Sequence, residues 1–116
     1  MPRRLEHVPL KNEEYRALEE LKELLLSDSR ISRLILFGST ARGERDEESD
    51  IDVLVLTRRE LRHRERHQAI TSVVTKINAR YGTTISTIVI PEESWNHGIH
   101  SVSALRRNVE SEGVLL

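Results

Sequence analysis

The sequence predicts one small α/β (α+β) domain, a short sheet flanked by α-helices. Three observations predict it. The chain has 116 residues, enough for one domain with a modest core. Segments with apolar residues at helical spacing alternate with short, β-branched apolar runs. The resulting order, α-β-(α)-β-α-β-α, suits helices packed on a sheet in two layers. No repeat, low-complexity stretch or long linker divides residues 1–116.

Residues 1–11 contain Pro2 and Pro9 and are expected as a flexible arm. Asn12 is the expected N-cap of the first helix, with Glu13 and Glu14 in its favourable first turn. Tyr15, Leu18, Leu21, Leu25 and Leu26 form its apolar face, and Ser27-Asp28-Ser29 ends it. Ile31 to Phe37 reads as a strand that Gly38 breaks. Ser39 to Gly43 suits a short helix, and 44–50 an acidic loop. Ile51 to Leu56 is apolar almost throughout after Asp52, as a central strand should be. Thr57-Arg58-Arg59-Glu60 matches a capping box and opens a long helix reaching Arg80 or Tyr81. Gly82 suits its C′ position. Thr83 to Ile90 is a third strand, stopped by Pro91. PEESW opens a short helix, Ala104 to Glu110 another, and the Val-Leu-Leu tail suits an edge strand or a docking segment.

Composition narrows the function. With one Phe, one Trp and two Tyr, the core must be Leu, Ile and Val. The absence of cysteine excludes disulfides, thiolate zinc sites and cysteine nucleophiles. The formal net charge of −1 gives no global field toward nucleic acid or membrane. No apolar run approaches the roughly 20 residues of a membrane span. The start of the chain lacks a secretory h-region, so a cytoplasmic location is the expectation.

The chemistry concentrates in GSTARGERDEESDID, residues 38 to 52. An apolar run leads into Gly38-Ser39, and a second leads out of Asp52. Asp50 and Asp52, two apart at a strand start, project to one face. Two close carboxylates make a hard-oxygen site for Mg²⁺ or Mn²⁺, completed by water and substrate phosphates. Gly38 allows close backbone approach, and Ser39 offers N–H and hydroxyl donors to a phosphate. Arg42 and Arg45 are further candidates for phosphate contact. A turn and an acidic loop are each common alone. Strand, Gly-Ser, ten residues, D-x-D and strand in that order is more specific.

This motif resembles the signature of the DNA polymerase β-like nucleotidyltransferase superfamily, and within it the minimal nucleotidyltransferase (MNT) proteins. The resemblance is strong over residues 34–56 and weaker elsewhere. It implies the nucleotidyltransferase fold, with a small mixed sheet. It also implies an NTP substrate, with ATP the expectation, and Mg²⁺ or Mn²⁺ as metal. Carried over by position, Gly38 and Ser39, with Arg42, would bind the nucleotide. Asp50 and Asp52 would be the catalytic metal ligands. The implied activity is transfer of AMP to a protein hydroxyl, by an antitoxin acting on a HEPN-domain toxin. Active members carry a third carboxylate on the next strand. Here that strand reads TTISTIVI, with Ser86 or Thr84 where the acid is wanted. Catalysis would then proceed on two carboxylates or borrow Glu92 or Glu48. Alternatively, the chain is a degenerate module that neutralises its partner by occlusion. A small-molecule acceptor is a third option, although acceptor-binding domains usually need more chain than this.

Other features read more plainly. His63 and His67 share helical spacing but lack a third ligand, so a solvated helix face is the better account. Residues 58–67 hold five Arg against two Glu, either a charged helix start or a contact surface. The lack of interleaved aromatics disfavours direct nucleic-acid binding. Trp95 is expected to pack under the last helix, and Tyr15 and Tyr81 to anchor helices to the core. An exposed apolar tail would point to a homo-oligomer or partner interface.

Overall fold

The structure, a computed structural model, describes residues 4–44, 46, 49–98 and 103–116. A four-stranded mixed sheet forms its centre, in the order β3-β2-β1-β4. The strands are β1 (Ile31–Phe37), β2 (Ile51–Thr57), β3 (Ile85–Pro91) and β4 (Val114–Leu115). β1 runs antiparallel to β2 and β4, while β2 and β3 are parallel. The Val-Leu of the tail is thus an edge strand, paired to Ile35 and Leu36.

Period-two alternation sends successive side chains to opposite faces, and both faces are covered. On one lie α1 (Asn12–Leu26) and α4 (Ser72–Tyr81). Leu18, Leu21 and Leu25 of α1 meet Val74 and Ile77 of α4 over Leu34, Leu36, Val53 and Val55. On the other lie α5 (Glu92–His97) and α6 (Ala104–Glu112). There Trp95 and Val109 cover Ile35, Leu54, Leu56 and Ile90. The expected second layer is therefore joined by a smaller third one, because β2 is apolar on both faces and each must leave water. Trp95 is buried under α6, and the Arg106 guanidinium stacks 4.9 Å from its ring centre.

Several boundaries differ from expectation. Lys11, rather than Asn12, caps α1, because the Glu14 carboxylate accepts from the Lys11 N–H at 2.9 Å. Thr57 ends β2, and its hydroxyl donates to the Arg59 carbonyl at 2.7 Å instead of capping a helix. The crossover helix starts later, as α3 (His63–Arg66), where Glu65 accepts from the Arg62 N–H at 3.0 Å. A π-helical turn, His67–Thr71, joins α3 to α4, and no sequence signal announced it. Gly82 follows α4 with φ +66°, the left-handed C′ geometry expected of it. Of the stretch expected as an arm, residues 4–11 contribute to the fold. Val8 is buried in the main core, and the Tyr15 hydroxyl donates to its carbonyl.

Candidate functional site

The turn between β1 and β2 brings the two halves of the motif together. α2 (Gly38–Arg42) begins directly after β1, and Phe37 pairs with Asp52 across the ladder. Gly38 adopts φ +79°, a left-handed geometry that side chains rarely tolerate. A Cβ placed on Gly38 would stand 2.6 Å from the Asp52 carboxylate Oδ2. Only glycine lets the backbone pass this close to the acid. Ser39 follows in the same turn and is half-buried. Thr40 is buried, and its hydroxyl donates to the Asp50 carbonyl at 3.4 Å. It ties α2 to the start of β2, a role the sequence reading missed although Thr40 lies inside the motif.

Asp50 is exposed and Asp52 half-buried. Burial raises the Asp52 carboxyl above the ordinary carboxylate range, and the Asp50 charge raises it further. Among the described residues, neither acid has an ion-pair partner. Two carboxylates with no ion-pair partner among the described residues, beside a glycine-lined gap, fit a hard divalent cation, whose charge would answer both. No group of three or more His, Asp or Glu side chains gathers as a metal site among the described residues. The remaining ligands would come from water and substrate phosphates.

The parallel register sets Ser86 opposite Asp52. Paired residues share a face about 4.8 Å apart, so Ser86, and not Thr84, holds the place next to the acid. Glu92 lies beyond Pro91, which pairs with Thr57. That is five residues along the ladder, roughly 16 Å from Asp52. Glu92 instead pairs with Arg33 at 3.8 Å, so it is not a replacement carboxylate. Arg42 leaves α2 toward α6, pairing with Glu112 at 3.0 Å and Glu44 at 3.1 Å. Glu112 gave no local signal, being 70 residues away in sequence. Arg45 and Glu48 lie outside the described residues. His63 and His67 are both exposed.

Residues 15–115 match the model of the nucleotidyltransferase domain family. The chain belongs to this family. It is also 38% identical over 107 residues to a Methanocaldococcus jannaschii protein named, provisionally, a protein adenylyltransferase. That alignment covers 90% of this chain and 98% of the relative. Solved structures share its fold. One is the crystal structure of a toxin–antitoxin with AMP-PNP, at TM-score 0.57 and 21% identity, covering 90% of this chain and 72% of that one. Another is a tri-AMPylated Shewanella oneidensis HEPN toxin in complex with MNT antitoxin, at TM-score 0.51 and 18% identity, covering 89% and 70%. The nucleotidyltransferase family that the motif implied is therefore this chain's, and its fold is the one those structures share. No helix among its described residues is long and apolar enough to cross a membrane.

Proposed function

We propose that this chain binds ATP with Mg²⁺ and transfers AMP to a protein hydroxyl, as the antitoxin of a HEPN-type toxin. The observation that carries this reading is the approach of Gly38 to the Asp52 carboxylate, beside Asp50. Asp50 and Asp52 would hold the cation, which supplies charge neutralisation at the phosphates. Gly38 and Ser39 would seat the triphosphate on backbone N–H and hydroxyl donors. The acceptor oxygen then attacks the α-phosphorus, the bond to pyrophosphate breaks, and the hydroxyl proton is released. The relative named a protein adenylyltransferase supports a protein acceptor. The toxin–antitoxin neighbours support the choice of partner. Cytoplasmic location belongs to the same reading.

One observation favours a second reading. Ser86 cannot take the acceptor proton as a carboxylate would. On that account the domain binds its partner without modifying it. The two readings separate in one assay, with the partner, labelled ATP and Mg²⁺. Transfer predicts label on the partner that Asp50→Ala with Asp52→Ala abolishes. Neutralisation that survives in that double variant, with no label in the parent, selects occlusion.

A further inference from the structure

The basic start of the crossover helix serves no part of the site above. Arg62, His63 and Arg66 line a cavity of about 580 Å³ at the opposite end of β2, beside Thr57. Leu61, Val89 and Pro91 form its apolar wall, and Glu60 adds one acid. Three nearby arginines are committed elsewhere. Arg59 and Arg30 both bind Glu65, at 2.6 and 3.4 Å, and Arg58 donates to the Ser29 carbonyl at 2.9 Å. Arg62 and Arg66 are exposed and have no ion-pair partner among the described residues. They stand one helical turn apart, so their guanidinium groups flank the same opening. The π-helical turn begins at the next residue, His67.

We propose that this cavity docks an acidic segment of a partner protein, one that also carries aliphatic side chains. Paired guanidinium groups match carboxylates in charge and geometry. The wall of Leu61, Val89 and Pro91 receives the aliphatic groups between them. RNA is the poorer match, because no Phe, Tyr or Trp lines the cavity for base stacking. Thr57 marks this end of the ladder, roughly 16 Å from Asp52, so the surface is separate from the acidic pair. The inference deepens the proposed function by giving a protein acceptor a remote anchor. Its test measures binding without AMP transfer, so either reading can fail alone.

The probe is a fluorescein-labelled peptide of about fifteen residues alternating Glu with Leu and Ala, followed by polarisation against the full chain. Saturable binding that weakens with salt is expected. Arg62→Glu and Arg66→Glu should each weaken it at least about tenfold, whereas Arg64→Glu, outside the lining, should change it less than about twofold. A Gln-for-Glu peptide should bind as poorly as the variants. Circular dichroism of each variant confirms the fold, since the exchanged side chains are exposed. Equal losses from all three reversals would mean diffuse charge attraction and overturn the proposal. So would tighter binding of an equally charged oligouridylate, displacement by inorganic phosphate alone, or no binding by the parent chain.

Discussion

Gly38→Ala is the smallest change that probes the acidic pair. The added methyl must share space with Asp52 Oδ2, on a backbone already at φ +79°. A loss of about 2 kcal/mol in urea unfolding is expected, together with loss of nucleotide binding. An unchanged urea midpoint would mean that the gap closes freely. Ser86→Asp asks the complementary question. It would set a third carboxylate beside Asp52, and Mg²⁺-dependent AMP transfer should rise at least about tenfold in single-turnover measurements. A flat response would separate β3 from the metal chemistry. The sequence could list Gly38, Ser39, Asp50 and Asp52 because they lie within fifteen consecutive residues, where chain geometry constrains them. It left Ser86 and Thr84 as equals, since only the ladder register distinguishes neighbours on a strand. Arg42 was named from proximity in the chain, but the tertiary fold turns it to Glu112 and Glu44.

The elements that set this register depend on few side chains. Asn78 near the end of α4 donates to the Ile85 carbonyl at 3.0 Å and accepts from the Ile85 N–H at 2.9 Å. It also accepts from the Thr83 hydroxyl at 2.9 Å. Asn78 therefore fixes where β3 begins, and with it the position of Ser86. Asn78→Ala should cost about 1–3 kcal/mol in urea unfolding, with faster amide exchange at Ile85 than in β1. Uniform exchange across the sheet would count against this role. β1 and β2 were clear in the sequence because their apolar runs are bounded by turn residues. The start of the crossover helix was not. A capping pattern at Thr57 competed with extension of β2 to that residue, and ladder hydrogen bonds won. The π-helical turn has no local code, since it reflects how the helix is packed along its length.

At the scale of the molecule, acid stability should follow two carboxyls near the β1 and α3 turns. The Arg30 side chain holds the Asp28 carboxyl down at about 2, and Arg59 holds the Glu65 carboxyl at about 2. Both are depressed on folding. Their stabilisation is present above the ordinary carboxylate range, roughly 4, and is lost as pH falls toward 2. Asp52 has the opposite sign. Its raised carboxyl means that the folded metal-free protein loses stability as pH climbs through the window above that range. Urea midpoints measured against pH should therefore fall on acidification, and Arg30→Ala should flatten that limb. Asp52→Asn should raise the midpoint at neutral pH without Mg²⁺. A parent midpoint independent of pH below about 4 would contradict the assignment. The sequence by itself determined the α/β class, the order of the main elements, the family and the acidic motif. Each is written in short-range spacing, which fixes local geometry before any packing occurs. Only the tertiary structure decided that both sheet faces are covered, that Ser86 stands against Asp52, and that Val89 and Pro91 wall the cavity beside Arg62 and Arg66. Those facts rest on contacts between residues distant in the chain, for which local spacing carries no information.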